Sequence, residues 1–261
     1  MSHTDIDATH RPPRANADPA PAFTYSGDEL DAMAAAVRYY GWIADRFAPH
    51  LGARIVEAGA GVGTFSARLR ERAPGAELTL IEPAANNFPH LQARFAADPR
   101  ARAVHGYLDE TLEPASADTI VAVNVLEHVG DDGAFLRAAH RVLAPGGKLL
   151  LFVPALPAIF GTLDEAFEHV RRYTRGSLTG ALGRAGFRPE CVVYTNLPGV
   201  AAWWLTGKVL RKRTIDPGAA RFYDRWVIPW VAALERRWSP PLGQSLFAVA
   251  VRPNDSASTA A

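Results

Sequence analysis

Residues 54 to 65 read Arg-Ile-Val-Glu-Ala-Gly-Ala-Gly-Val-Gly-Thr-Phe: a short apolar run ends in an acid, Glu57, and passes into three glycines spaced two apart, with a helical pattern following at once. That order describes a strand, a tight turn and a helix. Glycine accepts positive φ and carries no Cβ, so Gly59, Gly61 and Gly63 let a ligand lie against the main chain at a helix N-terminus. Nineteen residues past Gly63 a second apolar run, Leu78-Thr79-Leu80-Ile81, stops at Glu82. An acid at the end of the neighbouring strand is placed to accept hydrogen bonds from both hydroxyls of a ribose. Glycines alone make ordinary tight turns as well; the strand context and the paired acid point to a nucleoside ligand.

Strand and helix signals then alternate. The pattern predicts strands at 54–58, 77–82, 101–105, 117–123, 147–153, 188–195 and 246–251, and helices at 62–73, 86–97, 131–142 and 174–185. Alternation of this kind implies an α/β fold, a Rossmann-like, doubly wound, seven-stranded and mostly parallel sheet with helices on both faces. Continuous apolar runs such as Thr119-Ile-Val-Ala-Val123 and Lys148-Leu-Leu-Leu-Phe-Val153 are those of strands buried on both sides. Ser26-Gly-Asp-Glu29 reads as a capping box opening a helix that runs past Tyr39, Tyr40 and Trp42 to about Phe47. Residues 197–240 are too long for a hairpin loop and hold five tryptophans in helix-compatible stretches, so a helical insertion or lid precedes the last strand. One domain over 26–253 is expected, with a cofactor-binding core at 36–195. The proline-containing residues 1–25 and the small, polar residues 254–261 read as disordered or flexible tails.

Composition narrows the partners. Over 261 residues the formal charge is +1, and only Lys148, Lys208 and Lys212 among the 28 basic residues are lysines. The arginine bias reads as a GC-rich bacterial genome, and the near-zero charge without a broad basic stripe argues against a nucleic-acid substrate. Cys191 is the single cysteine, which excludes an internal disulfide and a multi-cysteine metal site and fits a reducing cytoplasm. No signal-peptide layout and no spanning apolar run appears, so a soluble, cytoplasmic monomer or homodimer is expected.

Four segments in this order carry a resemblance: Glu57-x-Gly59-x-Gly61-x-Gly63, Glu82-Pro83, Asn124-Val-Leu-Glu-His-Val129 and Leu143-Ala-Pro-Gly-Gly147. Over about residues 36–195 the chain resembles the class I S-adenosylmethionine-dependent methyltransferases. It looks most like a bacterial small-molecule branch with an Asp-Glu-x-x-x-His-x-x-Arg-Tyr-Thr segment, here Asp164 to Thr174. A nicotinamide dinucleotide enzyme shares the architecture, but its Gly-x-Gly-x-x-Gly fingerprint would place the third glycine at Thr64. No Gly-Lys-Ser/Thr follows the turn either, which removes a nucleotide triphosphate loop.

The resemblance implies S-adenosyl-L-methionine as cofactor. Glu57 and the backbone of Gly59, Ala60, Gly61 and Gly63 would hold its methionine end, Glu82 its ribose, and Leu108 and Asp109 its adenine, with Pro83 a further cofactor contact. Asn124 would contact the methionine moiety or face the methyl group, with Val125 beside it as a further cofactor contact. Methyl transfer from a sulfonium is an in-line displacement that needs alignment and, for a hydroxyl or carbon acid, a base. His128, His169 and Tyr173 are the candidates, with structural roles in their loops as the competing reading. Arg171 and Arg172 either orient an anionic acceptor or are solvated. No His-x-x-x-His cluster argues for a metal, and none is expected.

Trp203-Trp204 ahead of a basic block ending at Arg213 leaves two readings of the insertion open, a lid burying its tryptophans on the sheet edge and a peripheral membrane contact. Either suits a small, partly apolar acceptor such as a natural-product intermediate, a quinone or a lipid-linked sugar, methylated on O, N or C. The alternative is an S-adenosylmethionine-binding enzyme of this fold that catalyses a non-methylating reaction such as cyclisation. A non-catalytic binding module is the third reading, against which the intact glycine turn and Glu82 argue.

Overall fold

The computed structural model describes Thr24 and residues 36–108 and 112–254. The capping box at 26–29, Asp109 and the tail beyond Asn254 lie outside the described residues, as does 1–25 apart from Thr24. Seven strands among the described residues, β1 (Arg54–Ala58), β2 (Glu77–Glu82), β3 (Ala101–His105), β4 (Ala117–Val123), β5 (Leu143–Pro154), β6 (Arg188–Thr195) and β7 (Ser245–Val251), form one sheet. Its order is β3-β2-β1-β4-β5-β7-β6. The first five strands run parallel, and β7 lies antiparallel between β5 and β6.

Two apolar cores sandwich the sheet, and the two-residue period of a strand explains how one run serves both. In β7, Leu246, Ala248 and Ala250 enter one core while Phe247 and Val249 enter the other. The same division holds in β5, with Leu149, Leu151 and Val153 opposed to Leu150 and Phe152. A strand buried on both faces has no polar side to show, which is why these segments read as continuous apolar runs.

Helices α1 (Val37–Phe47), α2 (Thr64–Arg72), α3 (Phe88–Phe95), α4 (Asp132–Val142), α5 (Thr162–Ala166) and α6 (Arg175–Arg184) accompany the strands. The second of these begins two residues later than its periodicity predicts. Gly63 sits at φ 83°, in the left-handed region, so helical geometry starts only at Thr64. Strand β5 starts earlier than expected, at Leu143, because Leu143 pairs with Ala117 before an irregularity at Ala117/Thr119 restores pairing at Lys148.

Between β6 and β7 come α7 (Leu197–Trp203), a π-helical turn over Trp204–Val209, then α8 (Pro217–Phe222) running through a second π turn, Tyr223–Val227, into α9 (Ile228–Glu235). Ile228 and Val231 pack into the core that holds Tyr39 and Trp42 of α1. Asp224 accepts the N–H groups of Tyr39 at 2.8 Å and Arg38 at 3.2 Å. It thereby supplies the N-terminal cap that Ala36, which makes no side-chain cap, cannot.

Candidate active site

Strand order reverses between β1 and β4, and the crevice outside the carboxyl ends of these strands is where open α/β sheets receive ligands. A cavity of about 640 Å³ opens there, within the range of small-molecule sites. Ten residues marked by the sequence line it: Glu57, Gly59, Ala60, Gly61, Glu82, Pro83, Leu108, Asn124, Val125 and His128. Gly63, His169 and Tyr173 do not, and Asp109 lies outside the described residues.

The glycine turn is pinned to the end of β2. Gly59 and Ala60 both donate to the carbonyl of Ile81 at 2.9 Å, and the N–H of Gly61 donates to Glu82 Oε2 at 2.7 Å. The other oxygen of Glu82 accepts from Ala84 N at 2.9 Å. Burial pushes the Glu82 carboxyl up, against hydrogen bonds from Ala84, Gly61 and Asn87 that pull it down. Gly59 has φ 74°, and a Cβ built on it would stand 2.6 Å from Val125 Cγ2. Gly63 serves packing instead, since its Cβ would meet Phe95 and Leu91 of α3 at 2.8 and 3.0 Å.

Glu57 is buried, and its Oε2 has no hydrogen-bond partner among the described residues. Burial raises its carboxyl to about 8; the Ser66 hydroxyl opposes this and the nearby Glu82 charge adds to it. Glu57 thus presents an unused carboxyl oxygen beside the glycine turn.

At the end of β4, Asn124 adopts φ 52°, a left-handed conformation that asparagine tolerates better than most residues, while its N–H still donates to Phe152 O at 2.8 Å. Of the residues that follow this turn, Val125 and His128 line the cavity. His128 is held by a hydrogen bond with the backbone of Glu168, and burial, followed by the neighbouring His169, lowers its ring to about 4. The imidazole is therefore neutral at pH 7, and a weaker base than an ordinary histidine. Sequence reasoning missed the wall opposite, where Gly130, Asp131, Ala134 and Phe135 bring the start of α4 to the cavity. Asp131 caps that helix by accepting Ala134 N at 2.9 Å.

Behind His128 stands a second polar group centred on Asp164, which is fully buried. It accepts from His169 Nδ1 at 2.9 Å, Arg172 Nε at 2.6 Å, Trp203 Nε1 at 3.0 Å and Gly161 N at 3.0 Å. Burial pushes the Asp164 carboxyl up, but His169, Arg172 and Trp203 together hold it below the ordinary aspartate value. Arg172 also donates to Ala155 O at 2.8 Å and lies over the Trp203 ring at 4.7 Å. Solvation of Arg172, one reading open from sequence, is thus replaced by an internal ion pair. Arg171 pairs with Asp132 at 2.9 Å, and Tyr173 donates its hydroxyl to the same carboxylate at 2.9 Å, where burial and Asp132 push that hydroxyl far above its ordinary value. Glu127, His128 and His169 bring three ligand-capable atoms within 4.8 Å of one another. A local His-x-x-x-His pattern does not encode this grouping, because His169 comes from a distant segment.

A family model described as a methyltransferase domain matches residues 33–192. The ubiquinone biosynthesis O-methyltransferase of Xanthomonas euvesicatoria is 32% identical over 127 residues, 46% of this chain and 52% of that protein, so the chain spans about half the length of this relative. The geranyl diphosphate C-methyltransferase of Streptomyces coelicolor A3(2), solved with Mg²⁺, geranyl diphosphate and S-adenosyl-L-homocysteine, superposes with a TM-score of 0.57 at 16% identity, over 80% of this chain and 76% of that one. The [4+2]-cyclase SpnF superposes with a TM-score of 0.55 at 15% identity, over 84% and 81%. At such identities the two structures speak to the fold alone. The family match, extending over more than half of its length, makes the chain a member of the methyltransferase-domain family, among the class I S-adenosylmethionine-dependent methyltransferases.

Proposed function

We propose that the protein transfers a methyl group from S-adenosylmethionine to an O, N or C atom of a small, partly apolar metabolite, as in natural-product biosynthesis, with a hydroxyl as the acceptor that its residues serve best. The observation carrying this reading is the neutral imidazole of His128 on the wall of the cavity that Glu57 and the glycine turn also line. A positioned histidine takes up the proton of a hydroxyl as it attacks. The relative named for O-methylation in ubiquinone biosynthesis supports oxygen.

The residues fit the cofactor, since a buried carboxyl with an unused oxygen stands beside a turn where a Cβ is disallowed. Glu57 and the backbone of Gly59 to Gly61 hold the methionine end, Glu82 the ribose hydroxyls, and Pro83 and Leu108 the adenine face. Bound there, S-adenosylmethionine supplies an electrophilic methyl group on a sulfonium. Asn124 and Val125 border the reacting centre, and Phe135 gives the acceptor an apolar wall. His169 and Tyr173 act as positioning residues, since both are turned to internal partners.

Transfer of labelled methyl from S-adenosylmethionine into a small-molecule extract, with Gly61→Arg as control, tests the reading. A labelled product formed only by the unaltered protein supports it. Cofactor consumption of zero with an altered acceptor moves the assignment to a non-methylating reaction such as cyclisation. Cofactor binding that survives Gly61→Arg overturns the site.

A further inference from the structure

Of the thirteen large apolar residues that stand exposed among the described residues, ten lie between 204 and 242. They are ordered. Phe222, Trp226, Trp230 and Leu234 recur every four residues along the helical rod of α8, the π turn and α9, with 63%, 57%, 77% and 59% of their surfaces open. Asp224, Ile228, Val231 and Glu235, interleaved with them, are the buried side of the same rod. Periodicity of this kind puts one stripe on the protein and the other outward. A second outward stripe comes from Trp204, Leu205, Val209 and Leu210, each about half exposed, whereas the adjacent Trp203 turns inward to Asp164. Single exposed apolar residues are ordinary on a protein surface, but contiguous stripes rich in tryptophan mark an interaction face.

The charge around the stripes selects the partner. Residues 204–240 hold eight arginines and lysines against three acids, in a chain whose whole formal charge is +1. Two of those acids, Asp224 and Glu235, are buried and bound to backbone N–H groups of Tyr39 and Asn196. The exposed face is consequently basic, with Arg221, Arg225, Arg236 and Arg237 beside the aromatic row. A second copy would bring like charge against like charge, which is unfavourable. No helix among the described residues is long and apolar enough to cross a membrane, so the rod is suited to lie in an interface plane and not to span it.

We propose that the outward face of the insertion seats in an anionic phospholipid bilayer, with Trp204, Phe222, Trp226, Trp230 and Leu234 entering the boundary between headgroups and acyl chains and the flanking arginines meeting lipid phosphates. Tryptophan is at home at that depth, and basic residues beside it are drawn to negative lipid surfaces. The proposal goes beyond methyl transfer and does not depend on it, because lipid binding is read without cofactor or acceptor.

The test is co-sedimentation of the full chain with vesicles of phosphatidylcholine alone and of phosphatidylcholine with an equal part of phosphatidylglycerol, with tryptophan emission followed on binding. Binding to the anionic vesicles, a blue shift, weakening by salt, and a loss of about tenfold or more in Trp226→Ala/Trp230→Ala are expected. Arg221→Glu/Arg225→Glu removes the preference for anionic lipid. Each variant's cofactor affinity is measured alongside, and since these side chains point away from the core it stays unchanged. Absence of binding to either vesicle overturns the proposal. So does undiminished binding by the double tryptophan variant, or sedimentation equilibrium showing that Trp226 and Trp230 instead hold two copies together.

Discussion

The imidazoles of His128 and His169 meet nearly edge to face, with ring centres 4.9 Å apart and planes inclined at 78°. One ring borders the cavity, and the other is anchored to Asp164 behind it. In the proposed reaction the first ring reaches the reacting centre and the second aims it.

His128→Ala is expected to lower kcat by about 10²–10⁴-fold for a hydroxyl acceptor while leaving S-adenosylmethionine affinity near that of the parent. Because the ring is held at about 4, the neutral base is present down to mildly acidic pH. The acid limb of kcat/KM should fall near pH 4 and not near ~6.5, the unperturbed histidine value. Steady-state kinetics across pH reads both effects; an unchanged kcat in the variant refutes the role.

His169→Gln separates positioning from catalysis. It keeps a hydrogen-bond donor near Asp164 but removes the aromatic edge against His128, so kcat should fall less than in His128→Ala and the acid limb should move, since the neighbouring ring no longer opposes protonation of His128. A drop in stability with an unmoved pH profile would mark the residue as purely structural.

Asp164→Asn removes the charge to which Arg172, His169 and Trp203 are tied. Breaking one side of a buried pair costs about 3–5 kcal/mol, so denaturant unfolding at pH 7 should show a loss of that order. The folded carboxyl lies below its ordinary value, so its stabilising contribution is complete above ~3.9 and disappears as pH falls through the lower folded value. The variant should therefore lose less stability than the parent on strong acidification.

Glu57 makes the opposite prediction. Its folded carboxyl is raised to about 8 from an unfolded value of 4.5, so its contribution to stability is complete below pH 4.5 and is lost as pH rises through about 8. A cationic cofactor group bound at Glu57 favours the carboxylate, so binding near pH 7 should release a proton. Calorimetry in two buffers of different ionisation enthalpy measures that proton, and Glu57→Gln should abolish it.

Gly59→Ala places a methyl group 2.6 Å from Val125 Cγ2 at a φ of 74°. Both faults weaken stability and cofactor binding, but only the first involves Val125. Val125→Ala in the same chain should recover part of the loss, a coupling of about 0.5–3 kcal/mol in a double-mutant cycle.

The bounds of β1, β2, β3, β4 and β6 coincide with those read from sequence; β1, β2 and β4 were legible because buried parallel strands are largely apolar runs, whereas β3 and β6 are half-exposed edge strands marked by their place in the alternation of elements. The glycine turn and Glu82 were legible for a different reason, since their spacing is local and their residue types are dictated by backbone approach. Other features depended on contacts between distant segments. Asp164 meets Trp203 across 39 residues, and no local pattern encodes that meeting. The outward direction of Trp226 and Trp230 was hidden because the rod carries apolar side chains on both sides, Ile228 and Val231 inward and the tryptophans outward, so periodicity alone could not say which side met the protein.

The cap that Asp224 places on α1 has a mechanical side. That short helix carries Tyr40 to the rim of the cavity, while its first N–H groups are held by a residue of the insertion more than 180 positions away. Any displacement of the rod must either drag α1 with it or surrender the bonds to Arg38 and Tyr39. Whatever clamps the rod in place thus restrains Tyr40, and by thermodynamic reciprocity a ligand that restrains Tyr40 steadies the rod in equal measure. Surface docking and retention of the small molecule are in this way two loads on one beam.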